Sequence, residues 1–278
     1  MKKILKKLPI IRTLVSLNNR SEKVEKLLNE FIKISDWQYR DLLEIVSRDT
    51  KIKHNKSISI KTNFPIAYES DDHQKPFGTA RDNTRSMRFT KKCIEEYGNE
   101  LSFLDLGCSG GGLVFDFAIR GYDAIGVEGS DYSKKYQRCN WRSIPNNLFT
   151  CDITKPFDLL ENGVNKKFKV ISCWEVFEHI DVKDLSNVYC NVRKHLDNDG
   201  IFIGSISRCD KDPLHCTLQT KDWWANNFSE NGLEFLSQNE NHFEFLDYAR
   251  GVQGGMFDSH NYQTNPEKGF HFVAKLKL

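Results

Sequence analysis

Three features are missing from this sequence of 278 residues, and each absence excludes a class of protein. No two of its 8 cysteines form a Cys-x-x-Cys pair, which argues against a zinc site built from thiolates. The formal net charge is only +2, so the basic excess of a general nucleic-acid binder is absent. No apolar run at the amino end is long enough for a signal core or a membrane span. We therefore expect a reduced, cytoplasmic protein.

The charge that is present is distributed unevenly. Residues 1–60 carry 14 Lys/Arg and 7 Asp/Glu, a net of +7, which leaves about −5 for the rest of the chain. A helix is predicted within residues 21–48, and its apolar side carries Val24, Leu27, Leu28, Phe31 and Ile32. We expect residues 1–62 to form a basic helical extension that packs on its own domain, contacts a protein partner or lies peripherally on an anionic membrane face.

A short apolar run ends in a glycine-rich turn. Residues 101–106 predict a buried parallel strand, residues 107–112 read Gly-Cys-Ser-Gly-Gly-Gly, and residues 113–119 continue as a helix. Glycines let the backbone approach a ligand and adopt positive φ, and the free amides at a helix start favour electron-rich groups. This pattern indicates a nucleotide site, although dinucleotide-binding dehydrogenases use a related loop.

Four further apolar segments, at residues 122–128, 147–153, 168–174 and 200–206, alternate with predicted helices. Glu128 ends the second predicted strand, about 20 residues after the first. At this spacing an acid can accept both hydroxyls of a ribose. Asp152 ends the third, where it could meet an adenine amino group. The alternation predicts a doubly wound α/β sheet that binds its ligand at the carboxyl ends of the strands.

Together these segments resemble class I AdoMet-dependent methyltransferases of the ubiquinone-biosynthesis-like group. The resemblance covers about residues 75–278 and rests on Asp105-x-Gly107-x-x-x-Gly111, Glu128, Asp152 and the segment 174–179. It implies a seven-stranded Rossmann-like sheet over residues 85–278, with AdoMet as the cofactor.

The resemblance also implies which residues bind AdoMet. Asp105 and Gly107 are expected near its methionine part, Glu128 on the ribose and Asp152 at the adenine. The remaining cofactor-binding candidates are Ser109, Gly111 and Glu175. Ser109 stands where the usual pattern has a glycine, which puts the geometry of the turn in question.

An irregular stretch, residues 63–84, precedes this domain and is predicted to be a loop. Its position resembles that of the segment that folds over the cofactor in related methyltransferases. His73 or Arg81 could then touch AdoMet or the substrate. A surface linker is the alternative interpretation.

Carboxylates and imidazoles follow the predicted fourth and fifth strands. Glu175, Glu178 and His179 are spaced i, i+3 and i+4, so a helix beginning here would place them on one face, and His215 could complete the set. Such a mixed oxygen and nitrogen site suits Mg²⁺ or Mn²⁺.

The set is similar to that of the O-methyltransferases of ubiquinone synthesis and of the terminal 2′-O-methyltransferases of small RNA, in which the ion is expected to lower the pKa of the attacking hydroxyl. In the metal-free alternative, His179 or His215 is the general base.

The acceptor is harder to predict. Three tryptophans are near the proposed site, Trp174, Trp223 and Trp224. We expect about half of them to lie in the core and the others to form an aromatic platform for the substrate. The full pattern is similar to methyltransferases of bacterial surface-polysaccharide synthesis, so we expect O-methylation of a sugar or glycan. The acidic catalytic portion disfavours nucleic acid. A terminal 2′-O-methyltransferase of RNA and a non-catalytic binding subunit are the alternatives.

Overall fold

The computed structural model of the protein describes residues 20–24, 52–68, 85–252 and 261–277. The chain divides into two units, Met1–Thr50 and Lys51–Leu278. In the first unit, residues 20–24 are helical and exposed. The other residues of the predicted helix within 21–48 lie outside the described residues, and so do His73 and Arg81. Within the described ranges, no helix combines the length and the apolarity needed to cross a membrane.

The second unit alternates strands and helices. In chain order the elements are β1 (Ile58–Thr62), α1 (Met87–Tyr97), β2 (Ser102–Leu106), α2 (Gly112–Ala118), β3 (Asp123–Glu128), α3 (Tyr132–Lys135), β4 (Leu148–Thr150), β5 (Phe157–Glu161), β6 (Val164–Asn165), β7 (Phe168–Trp174), α4 (Leu185–His195), β8 (Leu196–Ser207), α5 (Lys221–Glu230), β9 (Leu233–Phe235) and β10 (Gly269–Leu276).

The main sheet has seven strands in the order β4-β3-β2-β7-β8-β10-β9. Strands β4, β3, β2, β7 and β8 are parallel, whereas β10 runs antiparallel to both β8 and β9. The strand order reverses between β2 and β7, and a ligand crevice forms at the carboxyl ends of strands at such a switch point. The predicted doubly wound seven-stranded sheet is thus confirmed.

Apolar side chains cover both faces of this sheet. One cluster surrounds Phe177, Phe202 and Phe228, and the other surrounds Phe89 and Phe103. Because both faces are buried, the parallel strands consist of nearly continuous apolar residues, and this is why their positions could be predicted.

A second, smaller sheet has the order β1-β5-β6, and all its strands are antiparallel. The predicted helical extension, residues 1–62, therefore includes a strand of the second unit. Nearby, the Asn55 side chain donates to the carbonyl of Ala124 at 2.9 Å, and the Asn147 side chain donates to the carbonyl of Lys53 at 3.0 Å. The second unit consequently begins at Lys51, within the predicted extension.

One buried histidine in β10 makes stability depend on pH. His271 Nε2 lies 2.5 Å from the carbonyl oxygen of Arg250, and its ring stacks on Tyr248. Burial lowers the pKa of His271 from 6.5 to about 4. Between these values the unfolded chain binds a proton that the folded chain does not. The unfolding free energy should therefore fall by up to about 3 kcal/mol as the pH drops from 6.5 to 4.

Chemical denaturation of the wild type and of His271→Gln, followed by circular dichroism across this pH range, measures the effect. Glutamine can donate to the same carbonyl but does not titrate, so the variant should lose much of the slope. Burial also lowers the pKa of His195, which leaves some slope in the variant. An identical pH dependence in both proteins would contradict the prediction.

Candidate functional site

The glycine-rich turn joins β2 to α2 at the carboxyl edge of the sheet. Gly107 and Gly111 both have φ of 77°, and Ser109 has φ of 50°. A Cβ atom on Gly107 would lie 2.4 Å from a methyl carbon of Val176, so glycine lets the turn pack against the segment that follows β7. Ser109 adopts the left-handed conformation although it is not glycine. The serine is therefore compatible with a tight turn at this position.

Glu128 ends β3, and its carboxylate is fixed by the neighbouring backbone. Oε2 accepts the amide of Ser109 at 2.7 Å, and Oε1 accepts the amide of Ser130 at 3.1 Å. The residue is 9% exposed, so the carboxylate stays at the edge of the protein interior. A carboxylate oxygen can accept two hydrogen bonds, which is the acceptor chemistry that a vicinal diol needs.

The other two predicted cofactor acids have different surroundings. Asp105 is buried in β2, where its Oδ1 accepts the hydroxyl of Ser172 at 2.6 Å. Asp152 follows β4, and its Oδ1 accepts both the amide and the hydroxyl of Thr154. Asp105 thus links β2 to β7, whereas Asp152 stabilises a turn at the end of β4.

The described part of the predicted loop, residues 63–68, runs along the carboxyl ends of β3 and β4. The amide of Asp152 donates to the carbonyl of Phe64 at 3.0 Å, and the amide of Ala67 donates to the carbonyl of Gly129 at 2.9 Å. This segment therefore lies beside Glu128 and Asp152, the two acids expected at the nucleoside part of the cofactor.

Glu175 differs from its predicted geometry. No α-helix begins at this residue, because Glu175 itself has φ of 56° and only a single 3-10 turn, Phe177–His179, follows it. Its carboxylate accepts the hydroxyl of Ser205 at 2.5 Å and that of Tyr262 at 2.7 Å. The prediction that Glu175 shares a helix face with Glu178 and His179 is wrong. The predicted metal set is correspondingly reduced to the other three residues.

Glu178, His179 and His215 do converge, as predicted. One potential ligand atom from each lies within 4.8 Å of those of the other two, and the two imidazole ring centres are 4.7 Å apart. The loop carrying His215 is tied to the 3-10 turn because the carbonyl of Glu178 accepts the amides of Cys216 and Thr217 at 2.8 and 3.0 Å.

The Glu178 carboxyl group is fully buried in this cluster. Its Oε1 accepts the amide of Ser207 at 3.0 Å, whereas its Oε2 is buried and has no hydrogen-bond partner among the described residues. Burial raises the pKa of Glu178 well above its usual range, and the charge of nearby Glu175 raises it further. Burial therefore favours the neutral acid, and a cation bound beside Oε2 would stabilise the ionised carboxylate.

The orientation of His215 also suits ligation or proton transfer. Its Nδ1 lies 2.7 Å from the carbonyl of Cys209, and a carbonyl oxygen only accepts, so Nδ1 carries the proton in the neutral ring. Nε2 then has a free electron pair, which can bind a cation or accept a proton from a hydroxyl.

The three predicted substrate tryptophans differ in exposure. Trp224 is fully buried and packs against Phe177 in the core, so its predicted contact with substrate is wrong. Trp174 is 8% exposed and packs edge-on against Phe89. Trp223, which precedes Trp224 in α5, is only partly buried. Helical geometry explains this difference, because consecutive residues of a helix point in different directions.

Sequence comparison agrees with this geometry. A family model described as a methyltransferase domain matches residues 77–243, more than half of the chain. The chain belongs to this methyltransferase family. The enzyme class indicated by the glycine turn and Glu128, a methyltransferase, is thus confirmed. No curated protein sequence matches the chain significantly.

Several solved structures are similar to the chain. An S-adenosylmethionine-dependent methyltransferase from Clostridium acetobutylicum ATCC 824 is 16% identical, with a TM-score of 0.47 over 71% of this chain and 93% of that one. The glycopeptide N-methyltransferase MtfA, in complex with sinefungin, is 16% identical, with a TM-score of 0.47 over 72% and 96%. The CcbJ methyltransferase from Streptomyces caelestis is 14% identical, with a TM-score of 0.47 over 75% and 96%.

Proposed function

We propose that this enzyme transfers a methyl group from AdoMet to a hydroxyl of a sugar, a glycan or a related polyol, with a divalent ion that holds adjacent acceptor hydroxyls. The observation that carries the proposal is the convergence of Glu178, His179 and His215 after β7 and β8. Strand β7 borders the crevice in which a doubly wound sheet binds its ligand, and β8 is the next strand of the sheet.

The residues at the other side of the crevice fit AdoMet. Gly107 gives the turn its positive φ, and Glu128 presents a carboxylate fixed by two amides, to which a ribose diol can donate. We assign the adenine to Asp152 and the methionine ammonium to Glu175, whose carboxylate is held by two hydroxyls. AdoMet supplies an activated methyl group, so the protein has to align the acceptor and remove one proton from it.

The cluster fits a divalent ion by the chemistry of its donors. One carboxylate and two imidazoles leave coordination positions for substrate oxygens, an arrangement compatible with Mg²⁺ or Mn²⁺. The buried Oε2 of Glu178 is an acceptor that such an ion would use. In this proposal Glu178, His179 and His215 hold the ion, which lowers the pKa of a bound hydroxyl. Without the ion, His179 or His215 would accept the proton directly.

The proposed acceptor class rests on charge and exposure. The chain after residue 60 carries a net charge of about −5, which disfavours a polyanion such as RNA. The partly exposed ring of Trp223 is an aromatic surface of the kind that packs on a sugar face. The terminal 2′-O-methylation of RNA stays as the alternative, because an RNA end also offers a vicinal diol.

Incubating the enzyme with methyl-labelled AdoMet and separated glycan, RNA and small-molecule fractions of a cell extract tests the proposal. Mass spectrometry should find the label in the glycan or small polyol fraction, and a reaction with Glu128→Ala at limiting AdoMet should give much less product. Label in RNA would instead establish the alternative acceptor. AdoMet binding without labelled product in any fraction would indicate a binding subunit.

A further inference from the structure

We propose that Phe64 forms one wall of the adenine pocket, so that a segment outside the matched methyltransferase region completes the cofactor site of this enzyme. The inference rests on the proposed AdoMet site and assigns a specific role to one residue at the start of the predicted loop, residues 63–84. The family match begins at residue 77, whereas Phe64 lies directly after β1 of the small sheet.

Backbone hydrogen bonds place Phe64 at the nucleoside end of the site. Its carbonyl accepts the amide of Asp152 at 3.0 Å, and three residues later the amide of Ala67 donates to the carbonyl of Gly129 at 2.9 Å. Gly129 directly follows the proposed ribose acid Glu128, and Asp152 is the proposed adenine partner. The segment is thus attached to both strands whose ends would bind adenosine.

The contact between this segment and β3 is close. A Cβ atom on Gly129 would lie 3.1 Å from the Cβ of Ala67, so the segment passes directly over the strand end. The start of the segment is also fixed, because Thr62 Oγ1 accepts the amide of Phe64 at 3.0 Å and donates to the carbonyl of Pro156 at 3.2 Å. Phe64 is therefore attached to a rigid element on both sides, as an aromatic wall requires.

The exposure of Phe64 is unusual for this location. Its side chain is 43% exposed, whereas Glu128 and Asp152 beside it are 9% and 8% exposed. Covering an apolar ring that is exposed to water lowers the free energy of the system, and an adenine offers a flat surface of matching size. Stacking between bases and aromatic side chains is a common and substantial contribution to nucleotide binding.

Titration calorimetry of the full-length protein with S-adenosylhomocysteine and with 5′-methylthioadenosine tests the proposal. The second ligand keeps the adenosine but lacks the amino acid. Phe64→Ala should weaken both ligands by a similar factor, about 10-fold, since stacking acts on the shared adenine. Phe64→Tyr should bind both ligands nearly as well as the wild type. Val164→Ala, which removes another exposed apolar side chain from the same small sheet, is the matched control and should have no effect.

Each outcome separates this proposal from the proposed function. Failure of the wild type to bind either ligand would overturn the AdoMet site itself. Wild-type binding with an unchanged affinity in Phe64→Ala would overturn only the role of Phe64, and so would a loss confined to S-adenosylhomocysteine. If Phe64→Ala does not fold, Phe64→Trp provides the test. The introduced tryptophan adds fluorescence, and stacking on the adenine of 5′-methylthioadenosine should quench it. A change in fluorescence on binding that equals that of the wild type would overturn the proposal.

Discussion

Excess EDTA is expected to abolish methyl transfer while AdoMet still binds, and added Mg²⁺ or Mn²⁺ should restore turnover. The expectation follows from the separation of the two parts of the site. The proposed ligands Glu178, His179 and His215 come from the segments after β7 and β8, whereas Glu128 and its amide donors belong to β3 and the glycine turn. Removing an ion from the first set should leave the second intact. Turnover under chelation and AdoMet affinity by calorimetry measure the two effects separately.

Substitutions can assign the ion to these residues. Glu178→Gln preserves the shape of the side chain but removes the negative charge of the carboxylate, and His215→Ala removes one imidazole. Both should lose Mn²⁺ binding in a paramagnetic resonance titration and lose most turnover. Asp210→Asn, an exposed acid in the same loop, is the matched control and should retain both. Full activity in excess chelator would contradict the metal proposal and favour a histidine base.

Glu128→Ala is expected to weaken AdoMet binding about tenfold or more. The change removes a charge-assisted contact to the ribose hydroxyls, which is worth on the order of 1.5–3 kcal/mol. It also leaves the amides of Ser109 and Ser130 without the carboxylate that they now share, so the glycine turn loses an anchor. Both effects act in the same direction.

Calorimetry with AdoMet and S-adenosylhomocysteine measures this loss, and circular dichroism verifies that the variant is folded. Glu128→Gln separates the two effects, since its amide retains one acceptor oxygen but carries no charge. We expect an affinity between those of the wild type and the alanine variant. A folded Glu128→Ala protein with wild-type affinity would remove Glu128 from the cofactor site.

The sequence alone predicts the parts of the fold that depend on local pattern. The glycine turn and the acid at the end of β3 are short-range features, and the predicted strand 122–128 differs from Asp123–Glu128 by one residue. Parallel strands buried on both faces are continuous apolar runs, which few other structures share. The predicted nucleotide crevice follows from the order of these elements.

Long-range interactions explain what the sequence did not reveal. Ile58–Thr62 alternates polar and apolar residues as a strand does, but it lies in a basic stretch and its partner β5 is far along the chain. The predicted strand 200–206 begins too late, because β8 begins at Leu196 and includes Asp197–Gly200 at a shift in register against β7. The sequence Asp-Asn-Asp-Gly favours a turn, but the residues on either side of it, Leu196 and Ile201, both pair with β7.

The candidate site follows the same rule. The convergence of Glu178 and His215 could be anticipated from their positions after neighbouring strands. The environment of Glu175 could not be anticipated. It depends on a left-handed backbone conformation at Glu175 and on a hydrogen bond from Tyr262, which is remote in sequence. No short-range pattern marks a tyrosine that donates to a carboxylate 87 residues away.

The antiparallel position of β10 has a consequence for biosynthesis. Residues from Phe202 to Ser207 of β8 pair with β10, which leaves the ribosome only after α5 and β9 have been made. Until then the outer edge of β8, an apolar strand, has no neighbour and can pair with another nascent chain. We therefore expect chains stalled before Gly269 to aggregate or to be retained by chaperones, whereas chains that include β10 can close the sheet.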